Sequence, residues 1–206
     1  MRMKERLGRW VEFWTGPVEA LPLRIFEVAF AGTFLLRLTR NFPVAEWLTE
    51  EGFHLTSAEW ATLGYPAAFP LLPLWGAWLY VAGMAAAWLV LMLRPGWRRW
   101  ALGALFVGAV YAQGVDYLSA SSANKQSIMV FAILLTGPGL WRDITTGRWM
   151  VSAATVRALQ ATLLVLYFSA GWAKAFAGDW LKYSDVLFTQ VQGVHRSEVA
   201  AWALRT

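Results

Sequence analysis

Lys174 lies near the end of an apolar run long enough to cross a bilayer, within Tyr167-Phe168-Ser169-Ala170-Gly171-Trp172-Ala173-Lys174. An ionisable group in a membrane span costs roughly 2.5–3.5 kcal/mol at the centre and less near the interface. Two arrangements meet that cost: the amine snorkels to the outer headgroups or pairs with Asp179, or it is buried in protein or faces a cavity. Gln160 and Tyr167 precede it at intervals of seven residues. At about 100° per residue the three fall on one helical stripe some ~40° wide, which should face protein or a cavity and not lipid. Other apolar runs end or begin with Gln113, Asp116 and Tyr117, and with Asn124, Lys125, Gln126 and Ser127. When successive runs alternate in direction, all these groups come to the same depth. Asp116, Asn124, Lys125, Gln126, Gln160 and Tyr167 are therefore candidate ligand contacts around Lys174. The plainer reading of Gln160 is an interhelical hydrogen-bond partner.

The elements that must position these residues follow from composition. With 58% hydrophobic and 15% charged residues, and 14 tryptophans in 206 residues, the chain is too apolar for an ordinary soluble domain. Its tryptophans suit the headgroup region of a bilayer. The expectation is an all-α, polytopic transmembrane bundle forming one domain over residues 1–206. Apolar windows fall at about 21–38, 71–93, 100–118, 127–141 and 156–176, most near the ~20 residues needed to cross the hydrocarbon core. Residues 1–16 read as an interfacial amphipathic helix, with Met3, Leu7, Trp10, Val11 and Trp14 at helical spacing and Arg2, Lys4, Arg6 and Arg9 mostly on other faces. The long loop from about 39 to 69 carries its own aromatic residues and is expected to fold over the outer mouth.

Loop charges set the orientation, because short loops rich in Lys and Arg stay in the cytoplasm. Arg2, Lys4, Arg6 and Arg9 precede the first span; Arg94, Arg98 and Arg99 follow the second; Arg142, Arg148 and Arg157 follow the fourth. The intervening loops carry Arg40 with four glutamates, and Lys125. The amino terminus is thus expected in the cytoplasm and the carboxyl terminus outside, in a bacterial inner membrane. No signal peptide is expected, since the first apolar run contains Arg24, Glu27 and Arg37 and no cleavage pattern follows. Glu27 pairs naturally with Arg24 one turn away, as a structural contact, and Arg37 and Arg40 read as interfacial anchors.

The net charge of +5 is spread over short loops without a basic-aromatic groove, so nucleic acid is not an expected partner. Zero cysteines and two histidines argue against thiolate chemistry and a metal centre. Membrane lipids and other membrane subunits are the expected partners.

The run Arg157-Ala158-Leu159-Gln160, then Leu166 to Lys174, then Asp179-Trp180, resembles the horizontally transferred transmembrane (HTTM) family, which includes the vitamin K-dependent γ-glutamyl carboxylases. Leu23-Arg24-Ile25-Phe26 resembles that family's first span, and Asn124-Lys125-Gln126-Ser127 sits where the carboxylases carry an Asn-rich segment. The resemblance implies that Lys174 matches the amine that acts as the base in vitamin K hydroquinone oxygenation. Desolvation would suit that role, because it disfavours the ammonium form and lowers a lysine pKa. Gln126 stands where the carboxylases have a histidine, and it cannot titrate. The chain also ends shortly after Trp180, whereas the carboxylases add a large extracytoplasmic domain, so a protein-substrate carboxylase is not expected. Two functions are carried forward. One is a non-catalytic structural or accessory subunit of a membrane assembly. The other is a carboxylase-like enzyme or binding protein with an outer-leaflet quinone or lipid pocket that uses Lys174 as base.

Overall fold

The computed structural model describes residues 2–40, 48–49, 62, 69–115 and 121–176, with side chains except at 2–4, 40, 121–123, 170 and 173–175. Most of the expected outer loop and Asp116 lie outside the described residues. The chain forms two compact units, Met1–Arg157 and Ala158–Thr206, whose boundary falls inside the last helix.

Helix α1, Arg2–Thr15, leaves Leu7, Trp10 and Val11 exposed. It ends where Gly16 N–H donates to Glu12 O at 2.7 Å. Strand β1, Pro17–Glu19, then leads into α2, Leu21–Arg40. In α2 the buried residues Leu23, Glu27, Ala31, Phe34 and Leu38 recur every three or four positions, the spacing of one helical face. The same rule orders α3, Leu74–Leu93, through Ala77, Val81, Met84, Ala87 and Leu91. It holds again in α4, Arg98–Val115, through Arg98, Ala101, Leu105, Gly108 and Ala112. In α5, Ser121–Thr136, it runs through Asn124, Ser127, Val130, Phe131 and Leu134.

Helix α4 packs on α3 and α5, and α3 packs on α2. Phe131 of α5 meets Phe30 and Phe34 of α2 edge-on, with ring centroids 5.3 and 5.5 Å apart. Trp88 Nε1 of α3 donates to Val28 O of α2 at 2.9 Å. At Gly108 the helices α3 and α4 come close enough that a Cβ would lie 2.2 Å from Met84 Sδ. Tyr80 Oη donates to the Gly108 carbonyl at 2.8 Å beside that contact.

The fold departs from an all-α expectation. A small antiparallel sheet of order β1-β3-β2 joins β1 to β2, Trp141–Arg142, and β3, Trp149–Ser152. Val18 pairs with Val151 and Trp141 with Met150. Strands of two to four residues contain too few alternations to register as period-two patterns. In the turn between β2 and β3, Asp143 accepts hydrogen bonds from the Thr146 hydroxyl at 2.6 Å and from Thr145 N–H and Oγ1 at 3.0 and 2.8 Å. These donors, the Thr146 hydroxyl foremost, hold the Asp143 carboxyl below the usual carboxylate range. Gly147 closes the turn at φ +66°, a left-handed conformation that favours glycine.

The helix of the fourth expected span, α5, also lies earlier than expected, at Ser121–Thr136 instead of 127–141. Residues 121–126, all polar but Ala123, form its first turns, and Gly137-Pro138-Gly139 ends it, with Gly137 N–H on Ile133 O at 3.0 Å. The last helix, α6, runs Ala153–Phe176. Among the described residues one helix, α3, is long and apolar enough to cross a membrane by length and composition. Helix α2 carries Arg24, Glu27, Arg37 and Arg40, α4 opens on Arg98 and Arg99, and α5 has 16 residues.

Candidate functional site

Two groups of polar side chains lie in the interior of the first unit, one near each end of its helices. At the end that carries the sheet, Glu27 is fully buried between two arginines. Arg24, one turn earlier on α2, donates Nη1 to Glu27 Oε2 at 2.7 Å and Nη2 to Leu91 O of α3 at 2.5 Å. Arg98, the first residue of α4 and 3% exposed, donates Nε to Glu27 Oε1 at 2.8 Å. Its Nη2 contacts the same Oε1 and also donates to Leu134 O of α5 at 3.2 Å. One carboxylate and two guanidiniums therefore tie four helices together. Hydrogen bonds to charged groups contribute about 1.5–3 kcal/mol each, more than neutral ones, provided the charges stay paired. Both carboxylate oxygens of Glu27 are thus engaged by guanidiniums. Arg98 Nη1 is buried and has no hydrogen-bond partner.

The Arg24–Glu27 pair has the geometry expected of it. Arg98 was the part the sequence did not disclose, because its place in a basic loop reads as an orientation signal. A clue was present nonetheless: a carboxylate has two oxygens to satisfy, and Arg24 occupies one of them.

At the opposite end of the first unit, α4 finishes and α5 begins. Asn124 is fully buried, and neither its amide nitrogen nor its oxygen has a hydrogen-bond partner. The amide nitrogen and oxygen of Gln113, on α4, are likewise buried without partners. An unsatisfied buried polar group costs about 1–3 kcal/mol, so these amides are suited to receive something polar. Nearby on the same helix, Tyr111 Oη donates to Pro70 O at 2.7 Å, and its ring lies 5.5 Å from that of Tyr80.

The remaining expected site residues divide as follows. Lys125 and Gln126 are exposed on the first turns of α5, while Ser127 beside them is buried. Gln160 and Tyr167 are exposed on α6, Tyr167 at 78%. Lys174 lies on the last turns of that helix, its side chain outside the description, and Asp116 is outside the described residues altogether. Asn124, Lys125 and Gln126 thus belong to the first unit, and Gln160, Tyr167 and Lys174 to the second. Among the described residues no group of three or more His, Cys, Asp or Glu side chains could hold a metal ion. The chain matches no protein-family model, no curated protein and no solved structure.

Proposed function

We propose that this chain is an integral membrane protein of HTTM-like type, with about five spans and a cytoplasmic amino terminus, that serves as a non-catalytic structural or accessory subunit of a membrane assembly. The observation that carries the membrane reading is an inverted distribution of polarity. Glu27 and Arg98 are buried, while Trp75, Trp78, Leu79 and Leu93 of α3 are 56–68% exposed. Such a surface is stable against hydrocarbon or a partner and unfavourable against water. The three segments expected in the cytoplasm support the same orientation, since β1, the Arg94–Arg98 turn and the β2–β3 hairpin gather at one end of the first unit. The subunit role draws on the outward face of α3, where Leu79, Ala82, Gly83 and Ala86 are exposed and a Cβ on Gly83 would touch nothing within 4 Å. Small residues on a membrane helix let a second helix approach closely.

Topology is the first test. Reporter fusions after Arg99 and after Trp149 should report cytoplasm, and a fusion after Thr206 should report the exterior. A cytoplasmic signal after Thr206 would remove a span and refute the scheme.

The second reading, a quinone or lipid pocket in the outer leaflet with Lys174 as base, draws on the resemblance of Leu166 to Lys174 to the carboxylases. Lys174→Met separates the two, because it keeps the stem and removes the charge. Under the subunit reading the variant accumulates in membranes as the parent does, and the parent purified in mild detergent carries a partner subunit and no quinone. A co-purifying quinone that disappears in Lys174→Met, with the fold intact, would replace the subunit reading with the pocket.

A further inference from the structure

The buried ionic group at the sheet end has an unbalanced charge. Arg24 and Arg98 contribute two positive charges and Glu27 one negative, all with side chains no more than 15% exposed. A net buried cation is costly unless an anion completes it. One donor of the group is also unsatisfied, because Arg98 Nη1 is buried and makes no hydrogen bond.

Arg98 lines a cleft of about 340 Å³ together with Arg99, Trp100, Gly139 and Trp149. A Cβ on Gly139 would lie 3.9 Å from Arg99 Nη2, so the Arg99 guanidinium lies close to that wall. Pro95, Leu140 and Trp149 also border a second cleft of about 240 Å³, whose charged walls are Arg24, Arg148 and Glu19. Glu19 is half exposed and lies 3.8 Å from Arg148, so it does not neutralise the buried pair. The cleft also adjoins the first turn of the 18-residue helix α4, whose dipole favours an anion.

We propose that the cleft beside Arg98 and Arg99 binds a phosphate-type oxyanion, which supplies the missing negative charge and accepts hydrogen bonds from Arg98 Nη1 and the Arg99 guanidinium. Guanidinium groups suit this ligand because their planar donors match phosphate oxygens in pairs. The phosphate can come from an anionic lipid headgroup or from solution, and the chemistry of recognition is the same. The assignment rests on the charge count and not on the subunit reading; only its lipid arm needs a membrane.

The test is thermal unfolding of the purified 206-residue chain in dodecylmaltoside micelles. Inorganic phosphate is titrated against chloride at equal ionic strength, and phosphatidylglycerol is compared with phosphatidylcholine. The unfolding temperature should rise with phosphate, with phosphatidylglycerol or with both, and not with chloride or phosphatidylcholine. Arg99→Gln, which leaves the Glu27 pairs intact, should weaken the apparent affinity about tenfold or more, the worth of one charge-assisted hydrogen bond. Arg98→Lys, which keeps the buried charge but removes Nη1, should weaken it as well; if that variant fails to fold, Arg99→Gln decides. A rise with phosphatidylglycerol alone assigns the oxyanion to a lipid headgroup, and a rise with phosphate alone assigns it to solution. No rise with either probe, an equal rise with phosphatidylcholine, or a rise that Arg99→Gln leaves unchanged overturns the assignment.

Discussion

Glu27→Gln should destabilise the first unit by about 3–5 kcal/mol, the cost of leaving buried charges without their counter-ion. The side chain keeps its length and two polar atoms, but the guanidiniums of Arg24 and Arg98 then repel each other with nothing between them. In detergent the variant should unfold at much lower denaturant or temperature than the parent, and less of it should accumulate in membranes. Glu27→Asp keeps the charge and should lose much less. Replacing Arg24, Glu27 and Arg98 together by leucine should recover most of the stability, since apolar replacement of a whole buried ion group is often neutral or favourable. A Glu27→Gln protein as stable as the parent would mean that water reaches the three groups.

Phe131→Ala is the second large effect. Phe131 is fully buried and is the ring through which α5 contacts both Phe30 and Phe34 of α2. Truncation removes both edge-to-face contacts and leaves a cavity, for an expected loss of about 3–5 kcal/mol. Phe131→Leu, which refills most of the volume, should lose less than half of that in the same unfolding measurement. Equal losses for the two variants would mean that the specific ring geometry, and not the filled volume, joins these helices.

Much of the helical layout was legible in the sequence, and the reasons are local. Hydropathy marked α3 over 71–93 against an observed Leu74–Leu93, and helical spacing brought Arg24 and Glu27 together. What could not be read depends on pairing across long sequence separations. Arg98 meets Glu27 across 71 residues, and β1 meets β3 across more than a hundred. The start of α5 was obscured for a different reason. All of Ser121 to Gln126 but Ala123 are polar, and polarity next to an apolar run reads as a loop, although Asn124 is fully buried and helical. In the candidate site the common depth of Gln113 and Asn124 was readable. Their lack of partners was not, because satisfaction of an amide depends on every neighbour in three dimensions.

The small sheet dictates an order of assembly. Pro17 pairs with Ser152 and Glu19 with Met150. A chain emerging from the ribosome therefore makes helices α1 to α5 before the strand that fastens its beginning exists. Glu27 meets the same delay, because Arg98 is synthesised 71 residues after it and Leu134 later still. Until then Arg24 alone neutralises it, so early intermediates hold a balanced pair and the excess positive charge enters only as α4 arrives. The amino-terminal helix is made first, and its tether to β3 is completed among the last of these contacts.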